Sequence, residues 1–439
     1  MDLTIPVLGQ PKVRSPLKLS SVSGDRVPDY VHEDDRLLFD VSAKNLREAL
    51  CKNPDVLPLS FERAGPRELL YFDPSKTRVG VVTCGGLCPG INNVIRALVM
   101  ELHYHYGVRR IYGFRFGFAG LSPEAGYDVI DLTPEEVNDI HHDGGSILGS
   151  SRGPVSAEVM VDTLDRLGMN ILFVIGGDGT LRGALDMYQE ISKRGMRISI
   201  VGIPKTIDND ICLVEKTFGF ETAFSIAIEA IRAAHVEAKG SPNGIGMVRL
   251  MGRNSGYIAA TAALAEPNVD CVLVPEIPFK LEGERGFYTW LQGMLKERGY
   301  AVIVVAEGAG QELMAKAEKE QCDASGNVRL ADIGLFLKDS IAAELKRKGI
   351  VYNLKYIDPS YLIRSAPANP NDSLFCLSLG QNAAHAGMSG KTGMVVGIWN
   401  NGLTHVPIRE AVAQRKVVDP ESDLWRSVMD STRQPARWE

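Results

Sequence analysis

Val174-Ile175-Gly176-Gly177-Asp178-Gly179-Thr180 and, a little further on, Ile203-Pro204-Lys205-Thr206-Ile207-Asp208-Asn209-Asp210 decide how this chain is read. Each begins as the end of an apolar run and passes into small or polar residues. In the first, three glycines strip the turn of side chains, which costs backbone entropy and asks for a reason. Asp178 is placed to hold a magnesium ion bridging phosphate oxygens. Thr180 can donate to a phosphate or cap a helix starting near Leu181. In the second stretch, strand alternation after Pro204 would put Thr206 and Asp208 on one side. A carboxylate beside a hydroxyl can take its proton, and Lys205 brings a compact positive charge suited to a phosphate in transfer. The plainer readings are a tight turn with an N-cap and a polar turn ending a strand. Together the two stretches supply a phosphate-sized hole, a metal-binding carboxylate and a candidate base, a set that suits moving a phosphoryl group onto a hydroxyl.

Outward from these turns the pattern repeats. Arg78 to Cys84 is a buried-strand run, followed by the turn Gly85-Gly86-Leu87-Cys88-Pro89-Gly90. A helix follows, with Ile91, Val94, Ile95, Leu98, Val99 and Leu102 on one face. Further strands are expected over Asn170–Ile175, Arg197–Ile203, Asp270–Val274, Tyr300–Ala306 and Met394–Trp399. Helices are expected over Glu158–Leu167, Leu181–Lys193 and Glu221–Ala238. Strands alternating with helices predict a parallel α/β sheet with crossover helices. In such sheets ligands sit beyond the carboxyl ends of strands, where all three turns fall.

At 439 residues the chain exceeds one ordinary core, so two globular halves are expected. A net charge of −6 argues against nucleic acid or an anionic membrane as the main partner. Seven scattered cysteines form no disulfide framework, and Cys84 with Cys88 lacks the second pair that a zinc site needs. With no long apolar run and no signal-peptide order at the N-terminus, a cytoplasmic protein is expected. Residues 1–76 read as an N-terminal extension of loops around a short helix near Ala43–Leu50.

Other motifs are weaker alone. The glycines of the Gly85–Gly90 turn let backbone N–H groups approach a phosphate at a helix N-terminus. The loop 144–154 presents Arg152, which could neutralise donor phosphates but is as readily a solvated side chain. Arg253, in Met251-Gly252-Arg253-Asn254-Ser255-Gly256, follows a strand at a natural anion-binding turn; packing at a domain seam is the alternative. Glu307 closes an apolar strand and can accept from sugar hydroxyls, or simply favour a helix N-terminus. Lys355, Tyr361 and Arg364 form a phosphate-binding mixture. The histidines show no metal or triad spacing and are assigned no chemistry.

In this order these motifs closely resemble the phosphofructokinase family, from about Arg78 to His405. The turn from Thr83 to Asn92, Gly176–Thr180, Pro204–Asp210, Met251–Ala259, Ala306–Gly308 and Tyr361–Arg364 carry the resemblance. It implies two Rossmann-like parallel-sheet α/β domains with the active site in the cleft between them. The expected boundaries are 77–219 for the donor domain (completed by about 365–410), 220–364 for the fructose-6-phosphate domain, and 411–439 for a C-terminal tail. The resemblance makes Asp208 the general base on the sugar 1-hydroxyl, with Lys205, Thr206 and Arg253 supporting the transferring phosphoryl. It puts Mg²⁺ on Asp178, and Gly86, Arg152, Gly153, Gly177, Asp178, Gly179 and Thr180 along ATP. Thr206, Ile207, Asp208, Met251, Gly252, Arg253, Glu307, Tyr361 and Arg364 would surround fructose 6-phosphate, with Lys355 from a neighbouring subunit of a homo-oligomer, dimer or tetramer.

Two departures bear on this. Familiar bacterial ATP enzymes carry glycine where Lys205 stands, and pyrophosphate enzymes carry lysine there but aspartate where Gly179 stands. The mixture seen here resembles the ATP-using branch of plants and trypanosomatids, and Gly179 leaves room for an α-phosphate and nucleoside. Near Asn243–Gly246 no cross-subunit arginine of the bacterial kind is found, and bacterial effector residues are not matched. The expected activity is thus transfer of the ATP γ-phosphoryl to fructose 6-phosphate, the committed step of glycolysis. The alternatives are a pyrophosphate-dependent enzyme and a non-catalytic sugar-phosphate-sensing subunit, which the presence of both Asp178 and Asp208 disfavours. A dehydrogenase would need an acidic ribose residue after a glycine fingerprint, a pattern not found here.

Overall fold

The computed structural model describes residues 1–53, 56–151, 153–314 and 330–438. Arg152 and Cys322 lie outside the described residues. In chain order the strands used below are β1 (Arg36–Leu38), β2 (Ser60–Arg63), β3 (Arg78–Thr83), β4 (Arg110–Phe114), β5 (Val129–Asp131), β6 (Ile171–Gly176) and β7 (Ser199–Pro204). They continue with β8 (Gly244–Leu250), β9 (Cys271–Leu273), β10 (Tyr300–Ala306), β11 (Asn353–Ile357), β12 (Met394–Trp399) and β13 (Gly402–Pro407).

One compact unit comprises Met1–Thr206, Ile211–Gly219 and Ala366–Gln414. Its nine-stranded sheet runs β1-β2-β13-β12-β7-β6-β3-β4-β5. The central five strands are parallel. The middle three, β3, β6 and β7, are buried along nearly their whole length, as a sheet covered on both faces requires. The sheet departs from the all-parallel expectation at its edges. The β12–β13 hairpin, β2 and β1 add antiparallel strands on one side, and β5 on the other. The face predicted from Ile91 to Leu102 is wholly buried. The helix Ile91–Met100 then widens into a π-helical stretch, Glu101–Tyr106.

The N-terminal residues are more than loops. Strand β2 pairs with β13 and carries Glu62 into a buried ion cluster. The Glu62 carboxylate meets His405 Nδ1 at 2.8 Å, Lys391 Nζ at 3.0 Å and Arg67 Nη2 at 3.2 Å. Burial opposes ionisation, but His405 and Lys391 override it and hold Glu62 down at about 2.

The second unit comprises Ile207–Asp210, Phe220–Ser365 and Arg415–Glu439. It contains a four-stranded, wholly parallel sheet, β9-β10-β8-β11. Ile245, Met247, Ile303, Val305, Phe287, Leu337 and Ile341 are among the residues of its core. The last residues form a helix, Asp423–Ser431, with Trp425 and Val428 buried.

Candidate functional site

In the first unit, β6 and β7 end side by side, Gly176 opposite Pro204. The helix Asp178–Lys193 starts at once, with Gly177 as its N-cap. Asp178 is therefore its first residue and Thr180 its third, so Thr180 does not cap it as expected. The glycines have separate reasons. A Cβ on Gly176 would lie 2.3 Å from Thr180 Cβ, so that glycine is required by packing. A Cβ on Gly179 would meet nothing within 4 Å, and its backbone is ordinary; the packing leaves this glycine open space rather than demanding it.

Lys205 reaches back across this turn. Its buried ammonium donates to Gly86 O at 2.6 Å, and its Nζ is 3.6 Å from where a Gly85 Cβ would sit. Thr180 Oγ1 is 3.9 Å from that same point. The loop before β6 is tied in as well, Ser150 Oγ donating to Gly85 O at 2.5 Å and Gly85 N to Ser151 O at 3.3 Å. Thus Gly86, Gly177–Thr180 and Lys205 converge. A helix N-terminus, open backbone and a fixed ammonium are features that suit an anion. Asp178 is engaged by Arg182 at 3.2 Å. Among the described residues no group of three His, Cys, Asp or Glu could hold a metal. One carboxylate fits a magnesium ion that arrives on phosphate oxygens rather than a resident one. Cys84 beside this turn is a buried thiol pushed up to about 12, inert at neutral pH.

The chain leaves β7 at Pro204. Beyond a single bridge from Lys205 to Phe218 it turns, and Asn209 is left-handed at φ 54°. Strand alternation therefore does not set the directions of Thr206 and Asp208. Thr206 O accepts from Thr217 Oγ1 at 2.6 Å. Asp208 belongs to the second unit, where Arg253 N donates to Asp208 Oδ2 at 3.4 Å and Ser255 Oγ to Asp208 O at 2.7 Å. Burial, then Asp210 and Glu307, push the Asp208 carboxyl up to about 8, against the Arg253 N–H and Arg415. A carboxyl poised near neutrality is suited to taking a proton at working pH.

Around it, Met251 is buried and Gly252 takes φ 126°. Glu307 is raised by burial, against Arg249, Arg253 and Arg364. Arg364 lies 5.0 Å from the exposed Tyr361 ring. Lys355 is not drawn into this group; its ammonium faces Glu237 at 3.9 Å. Gly153 is left-handed with open space at its Cβ.

Sequence reasoning missed Arg249 and Glu276. Arg249, on β8, bonds Asp358 at 2.6 Å and Glu307 at 3.2 Å, tying together the ends of β8, β10 and β11. A charged residue inside the run Ile245-Gly246-Met247-Val248-Arg249-Leu250 was the readable signal. Glu276 accepts from Gly256 N and Val418 N, a long-range contact that no local pattern announces.

Within the first unit the glycine turn and buried ammonium suit a phosphate, and within the second the raised carboxyl suits a base; each is a feature that phosphoryl transfer uses. The sequence model described as Phosphofructokinase matches residues 78–387, and the chain belongs to that family. It is 48% identical, over 100% of its length and 96% of the relative's, to an ATP-dependent 6-phosphofructokinase of Amycolatopsis methanolica. It is 46% identical to one of Trypanosoma brucei brucei, over 88% of this chain and 79% of that one. Among solved structures, a pyrophosphate-dependent phosphofructokinase of Marinobacter aquaeolei shares the fold at TM-score 0.66 and 22% identity, covering 83% of this chain and 92% of that one.

Proposed function

We propose that this chain is an ATP-dependent 6-phosphofructokinase, moving the γ-phosphoryl of ATP to the 1-hydroxyl of fructose 6-phosphate. Gly179 is the observation that carries the donor: a side chain there has open space, so nothing in the fold asks for glycine except room for a ligand. The full-length relatives named as ATP-dependent support the same reading.

Asp208 takes the hydroxyl proton as the phosphoryl group departs its donor. Lys205 and Arg253 neutralise charge on that group, with Thr206 donating to it. Backbone N–H groups of Gly177–Thr180, with Gly86, cradle the donor, joined by Arg152 and Gly153. Asp178 would hold Mg²⁺, which supplies charge neutralisation between donor phosphates. Ile207, Met251, Gly252, Glu307, Tyr361 and Arg364 hold the sugar phosphate. Lys355, engaged with Glu237 in its own chain, serves a neighbouring subunit of a homo-oligomer. No described helix is long and apolar enough to cross a membrane, and we take the cytoplasm as the site of action.

Initial rates of fructose 1,6-bisphosphate formation, with ATP and pyrophosphate in parallel, test the reading. Turnover with ATP alone is expected. Turnover with pyrophosphate alone would overturn the donor, and turnover with neither would favour the sugar-phosphate-sensing alternative.

A further inference from the structure

The second unit places one guanidinium at the carboxyl end of its sheet. Arg249 is the last residue but one of β8, and its side chain is 17% exposed. A cation in an apolar strand loses hydration and persists where carboxylates meet it. The register supplies them. Arg249 stands opposite Val305 of β10, and Glu307 N donates to Leu250 O at 2.9 Å, so the ladder continues past the end of β10. By strand alternation Glu307 falls on the same face as Arg249. On the other side Val248 stands opposite Ile357, the last residue of β11, which brings Asp358 beside Arg249. The guanidinium spans the two. Its Nη1 donates to Asp358 Oδ2 at 2.6 Å and its Nη2 to Glu307 Oε2 at 3.2 Å. Asp358 is fastened in turn, its Oδ1 accepting from Ser360 N at 3.0 Å and from Ser360 Oγ at 2.5 Å. Ser360 opens the short helix Ser360–Ser365, which carries Tyr361 and Arg364. Burial raises the Glu307 carboxyl, and Arg249 is the foremost charge opposing that rise.

We propose that Arg249 is a positioning residue for the sugar phosphate: its planar guanidinium fixes the Glu307 carboxylate relative to the helix start that bears Tyr361 and Arg364. This rests on the assignment of Glu307, Tyr361 and Arg364 to fructose 6-phosphate. Glu307 sits just past its strand, where the backbone fixes Cβ but not the torsions beyond it. Holding Oε2 selects one rotamer before the sugar arrives, so binding does not have to order it. Keeping the carboxyl ionised also makes it the stronger acceptor for a hydroxyl. A lysine would supply the charge but not the fork that reaches two carboxylates at set angles. Because the held group grips the sugar before and during transfer alike, the effect belongs to KM rather than kcat.

Initial rates over fructose 6-phosphate and ATP concentrations test this in the wild type, Arg249→Gln, Arg249→Lys, Glu307→Gln and the variant carrying both Gln substitutions. Arg249→Gln should raise the KM for fructose 6-phosphate about ten- to hundredfold. Its kcat and its KM for ATP should stay within about twofold of the wild type, and Arg249→Lys should fall between. Glu307→Gln should raise the same KM. The double variant should lie at least about threefold below the product of the single effects, since both remove one interaction. Fully multiplicative effects, or equal rises in the KM of both substrates, overturn the proposal and leave Arg249 a clasp between strand ends. Arg249→Gln with the wild-type KM overturns it alone, whereas Glu307→Gln with the wild-type KM removes Glu307 from the sugar site and the proposal with it. Should Arg249→Gln fail to fold, Asp358→Asn weakens the anchor while keeping the guanidinium. It should raise the KM for fructose 6-phosphate about threefold or more, and an unmoved KM there overturns the proposal equally. A wild type inactive with both ATP and pyrophosphate would overturn the proposed reaction, and this inference with it.

Discussion

Asp208→Asn should make the protein more stable while nearly abolishing turnover. The folded chain holds this carboxyl among Asp210 and Glu307 in a poorly hydrated turn, and its pKa rises from 3.8 to about 8. A raised acid favours the protonated form in the folded state. Its stabilising effect is full below 3.8 and is lost as pH climbs through 8. Each pKa unit corresponds to about 1.4 kcal/mol, so the span from 3.8 to neutrality amounts to about 4 kcal/mol at most. Proton sharing with Asp210 and Glu307 returns part of it, leaving about 2–4 kcal/mol at pH 7 and about 1 kcal/mol or less at pH 4.5. The neutral amide keeps an oxygen for the Arg253 N–H and escapes the cost. Thermal unfolding at the two pH values should show the variant melting roughly 2–4 °C above the wild type near pH 7, with the gap closing at pH 4.5. In initial-rate assays kcat should drop by about 10²–10⁴, with the KM for fructose 6-phosphate little changed. Near-normal kcat would remove Asp208 from its role. An equal or lower melting temperature at pH 7 would refute the argument from burial and like charge.

Gly179→Asp places a carboxylate in open space, so its melting temperature should match the wild type. Its kcat/KM for ATP should fall about 100-fold or more through repulsion of the nucleotide phosphates, and an unchanged ATP rate would sink the donor argument. Glu62→Gln leaves Lys391, Arg67 and His405 buried around an uncharged side chain and should cost about 3–5 kcal/mol in denaturant titrations. Because Glu62 is held down at about 2, its stabilising effect is present above 4.5 and is lost as pH falls towards 2. The wild type and Glu62→Gln should therefore converge in acid, and a constant gap would contradict the ion-cluster account.

The turns to which the chemistry is assigned were legible as turns because glycines, a lysine and aspartates gather at the ends of apolar runs, where the strands stop. The strands Tyr300–Ala306 and Met394–Trp399 and the buried face of Ile91–Leu102 were readable because burial on both sides of a sheet, or along one face of a helix, writes a long apolar signal. What escaped was short or non-local. Strands β1 and β2 are three and four residues long, and β2 finds its partner β13 across hundreds of positions. Thr180 was misplaced because the helix begins three residues earlier than its apolar pattern, at a glycine N-cap with no side chain to announce it. Asp208 was placed on a strand that had already ended, since a left-handed asparagine leaves little trace in sequence. Glu276 meets Gly256 and Val418 only in the folded chain.

The pairing of β2 with β13 has a consequence for how the protein is made. Thr404 and His405 are the register partners of Arg63 and Glu62, so the strand made first waits for one made hundreds of positions later. At ordinary elongation speeds of about 5–20 residues per second, that wait lasts roughly 20–70 s. Throughout it Phe61, fully buried in the finished sheet, has no sheet to enter, and Glu62 lacks both His405 and Lys391. The nascent chain therefore carries an open strand edge until β13 emerges, and closing that edge must follow the making of every strand between them.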